Sequence, residues 1–280
     1  MAYPTVSAPY GLKPVNLIGG QVFSGSTREV PIQYGEPTSI FYGDFVKVAQ
    51  GFAQRLSVST GGGASGLVGV FLGCSFTNPL TKQKTFSQYW PASTLAGDAV
   101  AIVCDDPDTV FKAAVCSATT VLASGSYAMI GQNYQMINNT GSTATGDSAN
   151  ALLYSATLTT ATFPMRVVGV VPDTAAAVSA TGSSASTAIT LTGSGLPSAI
   201  VAGTDVSYIA ANGQLIRTGS FVTTAAAAAA TSVTINVAAS SLGLAATVIP
   251  TSSTIVFTQI PEMLVKINFG IHEYYTTTAV

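Results

Sequence analysis

Charged side chains are scarce in this sequence. Its 280 residues include 10 Lys and Arg and 12 Asp and Glu, which is 8% of the chain, whereas soluble domains have roughly 25%. The hydrophobic fraction, 48%, is ordinary, so small polar residues and glycine take the place of the missing charges. A surface with so few charges is poorly solvated and tends to associate. We therefore expect much of this surface to be covered in a larger assembly.

The sequence also lacks the marks of nucleic-acid and membrane binding. The net charge is −2, and the lysines and arginines are scattered without forming a basic run, whereas a nucleic-acid surface needs a basic stripe. No segment reaches the roughly 18 to 20 consecutive apolar residues that span a bilayer. The first residues have neither the basic nor the apolar region of a secretory signal. We expect a protein that is made in the cytoplasm and binds neither nucleic acid nor membrane.

Cysteine and histidine are rare as well. The three cysteines, Cys74, Cys104 and Cys116, show no Cys-x-x-Cys spacing, and each lies in an apolar run typical of a strand. They are predicted to be buried, reduced thiols, with a disulfide or a reactive thiol as the alternative. The single histidine, His272, leaves no set of zinc ligands, and the sequence has no Gly-x-Ser-x-Gly motif. We therefore predict no catalytic residue, no metal and no cofactor.

Two short motifs are candidate binding sites. Asp105, Asp106 and Asp108 surround Pro107, a pattern that favours a polar turn; the alternative is a hard cation such as calcium, or an interface salt bridge. The three glycines at 61–63 lie between strand-like stretches. A phosphate loop needs a helix behind it, so we predict a hairpin tip there.

Short strand-like runs separated by Gly, Pro, Asn and Ser dominate the sequence, and no stretch has a convincing helical period. The pattern predicts an all-β protein. The alanine run at 225–230 is too short to form a helix alone and is predicted to be a strand or a loop. In the outer parts of the chain, the predicted strands are 40–48, 67–72, 99–104, 165–171 and 264–269.

Composition changes near Asp173. The segment 174–258 is rich in Ala, Thr, Ser and Gly and has only Asp205 and Arg217 as charged residues, and large residues then return. We predict a discontinuous main β domain, 21–173 with 259–280, that carries an inserted small β-sandwich-like domain at 174–258. The alternative is a flexible low-complexity loop. Within the insert, the predicted strands are 187–192, 206–209, 214–224, 232–237 and 254–258.

Residues 1–20 hold more apolar side chains than a solvated tail needs, and we predict an extended N-terminal arm that lies on a neighbouring subunit, with a disordered tail as the alternative.

An aromatic cluster of Phe86, Tyr89 and Trp90 follows a lysine-containing turn. It could bind a sugar or a base, but a core or interface position is favoured, because aromatic residues carry much interface energy. The residues predicted for these contacts are Tyr3, Tyr10, Leu12, Val15, Leu17, Phe86, Tyr89 and Trp90.

Several phrases of the sequence resemble virion structural proteins of tailed bacteriophages, especially those of cyanophages and other marine phages. The segment IFYGDFVKV resembles the strand with Gly-Asp and then hydrophobic residues that is common in phage decoration domains. The insert resembles the Ala/Thr-rich β modules of phage head and tail proteins. The segments that carry the resemblance are PYGLKPVNLIGG (9–20), TSIFYGDFVKV (38–48), VGVFLGCSFTNPLTKQKTFSQYWP (68–91), DAVAIVCDDPDTVF (98–111) and PEMLVKINFGIHEYY (261–275).

The resemblance implies a main domain with a β-barrel or β-tulip fold and a role as a capsid decoration (cement) protein. Such a protein would be made in the host cytoplasm and would bind the outer surface of the major capsid protein lattice as a symmetric homo-oligomer, for example a trimer. The family has no catalytic residues to transfer. The alternatives are a tail or baseplate component, or a host-surface module that binds glycans through the inserted domain.

Overall fold

The computed structural model of the protein describes residues 6–57, 66–154, 161–184, 187–236 and 248–275. These residues contain strands, turns and three single-turn 3-10 helices but no α-helix, which confirms the predicted all-β class. Each of the ten predicted stretches overlaps an observed strand, and the alanine run at 225–230 is a loop.

The strands are numbered in chain order. They are β1 (Lys13–Leu17), β2 (Arg28–Pro31), β3 (Phe45–Ala49), β4 (Phe52–Arg55), β5 (Leu67–Thr77), β6 (Lys84–Ser87), β7 (Val100–Cys104), β8 (Thr109–Ala118), β9 (Val121–Leu122), β10 (Asn133–Tyr134), β11 (Met136–Ile137), β12 (Ala151–Leu153), β13 (Met165–Val170), β14 (Ala176–Ser184), β15 (Ala188–Leu191), β16 (Asp205–Ile209), β17 (Leu215–Phe221), β18 (Ser232–Thr234), β19 (Ser253–Gln259) and β20 (Glu262–Ile267). The 3-10 helices are Tyr127–Met129, Pro172–Thr174 and Glu273–Tyr275.

The first sheet has the order β10-β13-β20-β8-β12-β11, and β1 and β9 also pair with β8. Strand β8 is central and is buried over most of its length. Along β20, Val265 and Ile267 are buried whereas Leu264 and Lys266 are half-buried, as the alternation of the sequence predicts. The first sheet shares one hydrophobic core with the second sheet, in which Phe111 packs with residues such as Phe45.

The second sheet has the order β2-β7-β5-β3-β4, with β6 added alongside β5. It curls around a core that contains Ile40, Phe71 and Trp90. An isolated parallel bridge between Ile32 and Ala53 joins the chain after β2 to β4. No continuous ladder closes any sheet of the described residues into a barrel, so only the all-β part of the predicted fold class is confirmed.

The third sheet, of order β17-β16-β19-β14-β15-β18, lies wholly within residues 176–259. The bridge between Val222 and Ile235 connects its two edges, and Phe257 lies in its core. It is one curled sheet, where the sequence predicted a sandwich of two. Because β14 pairs with β19 from Ala176 opposite Gln259 onward, the chain enters and leaves this sheet at one place.

The third sheet is docked on the first by specific contacts. The rings of Tyr154 and Phe221 meet edge to face with 6.0 Å between centroids. The backbone N–H of Tyr127 donates to Asp205 Oδ1 at 3.3 Å, and the Arg217 guanidinium lies 3.7 Å from the Tyr127 ring centroid. The orientation of the insert is therefore set by packing and hydrogen bonds as well as by its two connections.

Candidate functional site

The structure places most of the predicted N-terminal arm inside the chain's own fold. Leu12 is fully buried in the core between the first and second sheets, and residues 13–17 form β1 against β8. Leu12 therefore cannot contact a neighbouring subunit in this conformation, because the apolar residues of the segment find an intramolecular partner. The Tyr10 hydroxyl donates to Glu262. Val15 is 45% exposed and Leu17 is half-buried, and Tyr3 lies outside the described residues.

The aromatic cluster is divided between core and surface. Trp90 is fully buried and meets Phe76 edge to face, with 5.3 Å between ring centroids. Trp90 therefore takes the core position, one of the two positions predicted for this cluster, and presents no surface to a partner. Tyr89 is half-buried and stacks on Phe41, whereas Phe86 is 77% exposed. Phe86 is the most exposed member of this cluster.

Phe86 borders a surface groove with a volume of about 510 Å³. The pairing of β5 with β7 contains a bulge at Leu72, since Phe71 pairs with Val103 and Gly73 pairs with Ile102. An extra residue in one strand bends the strand and redirects side chains. The groove is lined by Tyr42, Leu72, Gly73, Cys74, Phe86, Ser87, Gln88 and Ile102.

One wall of the groove is polar and held in place. Gln88 Nε2 donates to Asp147 Oδ1 at 3.0 Å, and the Gln88 side chain lies against Gly146, where a Cβ would stand 3.0 Å from Gln88 Cβ. Lys13 Nζ is 3.8 Å from the same Asp147 oxygen and 6.0 Å from the Tyr42 ring centroid. The amide of Gln88 is thus oriented before any ligand arrives.

A buried carboxylate positions Tyr42. Asp44 follows Tyr42 by two residues and has no exposed surface. Its oxygens accept hydrogen bonds from the Phe41 N–H at 3.0 Å and from Ser148 Oγ at 2.6 Å, and Arg55 Nε lies 3.0 Å from Asp44 Oδ2. Burial raises the pKa of Asp44, while Arg55 and Ser148 act in the opposite direction. The hydrogen bonds and the ion pair of Asp44 therefore hold the turn that carries Tyr42 in place.

The side chains that line the groove are uncharged. Its lining residues include no carboxylate, histidine or lysine. Cys74 borders it, but the thiol is directed to the carbonyl oxygen of Tyr89 at 3.5 Å, and burial raises the pKa of Cys74 to about 12. The thiol is therefore protonated at neutral pH and is a poor nucleophile. Cys104 and Cys116 are buried as well, as predicted.

The hairpin between β5 and β6 presents a second exposed apolar residue. Leu80 is 90% exposed at its tip. Asn78 Oδ1 accepts from the N–H groups of Leu80 and Thr81 at 2.9 and 3.2 Å. At the base, Asp98 accepts two hydrogen bonds from Thr77, which hold the pKa of Asp98 well below its usual range. The turn residues therefore hold Leu80 in a defined position.

The acidic motif forms a turn in which each carboxylate has its own partner. Asp105 Oδ2 lies 2.9 Å from Arg28 Nε. Asp106 Oδ1 accepts from the Asp108 N–H at 2.9 Å, and Asp108 pairs with Lys266 at 3.2 Å. In the described part of the chain, no three His, Cys, Asp or Glu side chains are grouped so that they could hold a metal ion. The glycines at 61–63 lie outside the described residues.

His272 anchors the C-terminal turn. Its side chain is fully buried, and Nε2 lies 3.2 Å from the carbonyl oxygen of Asp105 while Nδ1 accepts from the Tyr274 N–H at 3.3 Å. These partners require a neutral ring protonated on Nε2. Burial lowers the pKa of His272, and the residue acts here as a structural hydrogen-bonding group.

Comparison of the chain with protein-family models, with curated proteins and with solved structures finds no match in any of the three. The described residues contain no helix with the length and hydropathy needed to cross a bilayer.

Proposed function

We propose that this protein is a structural protein of a tailed-phage virion, specifically a capsid decoration protein that binds the outer surface of the major capsid protein lattice and stabilises the head. The observation that carries the proposal is Leu80, which is 90% exposed at the tip of an ordered hairpin. A fixed apolar tip gains free energy when a partner buries it, at roughly 25 cal/mol per Å² of apolar surface. Little backbone entropy is lost in opposition to that gain, because the turn is already formed.

The low charge of the chain supports the same function. With charged residues at 8% of the sequence, contacts with a capsid would depend mainly on shape and apolar burial, which salt screens little. Weak contacts of this kind become strong in a symmetric lattice, because many copies act together. We propose the virion surface as the location and a homo-oligomer as the attached form, with the curled second sheet as the small barrel-like core and the third sheet projecting outward.

The proposal is tested with particles that lack this protein, to which the purified chain is added back. We expect wild type to attach to the head in hundreds of copies, to remain attached at about 1 M NaCl and to raise resistance to heat and osmotic shock. Leu80→Asp should not attach. Leu215→Asp, which replaces a 52% exposed leucine of the third sheet, should attach like wild type.

Three outcomes would reject the proposal. Full attachment of Leu80→Asp would remove its main support. Labelled protein at the tail in a handful of copies would favour a tail or baseplate component. Attachment to the head with no gain in resistance to heat or osmotic shock would exclude cementing.

A further inference from the structure

We propose that the groove beside Phe86 is a binding site for a neutral hexopyranose unit of a polysaccharide. This site is separate from the hairpin tip proposed to contact the capsid, and the inference does not depend on capsid attachment. Its basis is the shape of the groove, its exposed aromatic wall, its oriented amide and the absence of charge from its lining.

The shape of the groove follows from Gly73, which comes directly after the bulge at Leu72. Phe86 pairs with Ser75, Ile102 pairs with Gly73, and Gly73 and Ser75 share one face of β5 because they are two residues apart. Gly73 therefore leaves a floor of backbone between the side chains of the flanking strands β6 and β7. Those strands are two strand spacings apart, which is about 10 Å, so the slot accepts a single ring or chain.

The aromatic wall suits the apolar face of a sugar. Phe86 keeps 77% of its surface exposed and lines the groove together with Tyr42. The axial C–H bonds of a pyranose carry partial positive charge and stack on the negative face of an aromatic ring. The volume of about 510 Å³ falls within the roughly 300–1,000 Å³ of small-molecule sites.

The polar wall suits sugar hydroxyl groups. Gln88 is held by Asp147 through Nε2 and backed by Gly146. Because the oxygen and nitrogen of an amide lie on opposite sides of Cδ, this bond leaves Oε1 as the acceptor for a ligand hydroxyl. Holding the amide in advance lowers the entropy lost on binding.

The charges favour a neutral sugar over an anion. None of the lining residues is charged, and beside Gln88 the charges of Lys13 and Asp147 lie 3.8 Å apart and offset each other. A nucleotide, a sugar phosphate or a uronic acid would find no free cation in the lining. A purely apolar ligand would leave Gln88 Oε1 without a hydrogen bond from the ligand.

A protein strand would use a different part of this region. No described strand pairs with the outer edge of β6, and an added strand would bind along that edge. The groove lies over β5, on the other side of β6. Strand addition would therefore leave the groove empty, and it is treated as a rival outcome of the test.

The experiment is saturation-transfer NMR on the full chain at about 10 mM ligand, a concentration that detects millimolar affinity. The probes are glucose, galactose, mannose, N-acetylglucosamine, glucuronic acid and AMP, each added alone. We expect saturation of at least one neutral hexose and of neither glucuronic acid nor AMP. Phe86→Ala should weaken binding about tenfold, and Gln88→Ala should weaken it to a similar or smaller extent.

Tyr34→Ala is the matched control, because Tyr34 is a 62% exposed aromatic residue that does not line the groove. All variants should keep the wild-type melting temperature, since these side chains are exposed or at the surface. Saturation of no neutral hexose, saturation of the anions alone, or unchanged binding by Phe86→Ala would each overturn the proposal.

The same variants separate this inference from the proposed function. Phe86→Ala should attach to particles like wild type, whereas Leu80→Asp should keep sugar binding. If Phe86→Ala is released from particles and no sugar binds, the groove is a protein interface of the kind predicted for Phe86 from the sequence, and the sugar proposal fails while capsid attachment stands.

Discussion

Asp44 and Arg55 form an ion pair inside the protein, with 3.0 Å between Oδ2 and Nε. Asp44 is fully buried, and the Arg55 guanidinium also donates to the backbone oxygen of Asn139 at 2.7 Å. The pair therefore links β4 and the turn before β3 to a distant loop. It also supports Tyr42, which belongs to the proposed sugar site.

We expect Arg55→Ala to lower the free energy of unfolding by about 3–5 kcal/mol, because it leaves the Asp44 carboxylate buried without its cation. Arg166→Ala, at an exposed arginine of β13, is the control and should change stability by less than about 0.5 kcal/mol. Urea denaturation at pH 7 measures both variants. A loss for Arg55→Ala no larger than for Arg166→Ala would mean that the buried pair contributes nothing.

Leu12→Ala tests the placement of the N-terminal segment. Leu12 is fully buried in the core, so its truncation should lower the free energy of unfolding by about 2–5 kcal/mol. Val15→Ala, at a residue that is 45% exposed, should cost less than about 1 kcal/mol. Equal, small effects in thermal and urea unfolding would show that the segment does not pack in the core, as expected for the arm or the disordered tail predicted from the sequence.

Strand positions in this fold follow from local sequence, and the long-range contacts do not. Alternation of apolar and polar residues is a property of neighbouring positions, which is why runs such as 165–171 coincide with strands. The ring of partners around Asp44 includes Ser148, 104 residues away, and no local pattern encodes that pairing. The groove depends on the bulge at Leu72, and a leucine followed by a glycine within a strand is too common a pair to predict a bulge.

His272 makes stability sensitive to mild acid. In the folded state, burial lowers the pKa of His272 from its ordinary value of 6.5, so that the neutral form of the ring is favoured. Between the folded and unfolded pKa values the unfolded chain binds more protons, so this contribution is present above about pH 6.5 and is lost as the pH falls below it. His272→Gln should lose this dependence, because an uncharged amide does not titrate.

The measurement is the free energy of unfolding from pH 7.5 to 5. Asp105, Asp106 and Glu273 face His272 and favour its charged form, so part of the acid effect is offset by them. If wild type and His272→Gln had the same pH dependence, the histidine would not contribute to this acid sensitivity.

Asp205 changes the free energy of unfolding with pH in the direction opposite to His272. Burial raises the pKa of Asp205 from 3.8 to about 6, while the Tyr127 N–H and Arg217 partly oppose the shift. The folded state then binds more protons between these two values, so the free energy of unfolding gains on the order of 2 kcal/mol as the pH falls from about 6 towards 4. Asp205→Asn should remove that gain and should be at least as stable as wild type at pH 7.5.

The His272→Gln background isolates this effect, because the histidine titrates in an overlapping window. Asp173→Asn, which replaces an exposed carboxylate, is the control for the loss of one negative charge. A pH dependence in Asp205→Asn equal to that of its His272→Gln parent would show that Asp205 titrates near its ordinary pKa.

Gly203 sets the distance between the third sheet and the first. A Cβ at this position would lie 1.7 Å from the backbone oxygen of Ser124, and its φ is +85°. The neighbouring Ala202 oxygen accepts from the Ser124 N–H at 2.8 Å, so the two backbones cannot separate without breaking that bond.

Gly213 has nearly the same φ, +81°, but nothing lies within 4 Å of a Cβ added there. Gly213→Ala therefore measures the backbone strain alone, which is about 1 kcal/mol. Gly203→Ala adds the clash and should lower the free energy of unfolding by about 3 kcal/mol or more. Thermal unfolding together with limited proteolysis of the segment between β14 and β19 checks this, since an undocked third sheet would be cut faster. Equal losses for the two variants would mean that the sheets tolerate separation and that the docking is loose.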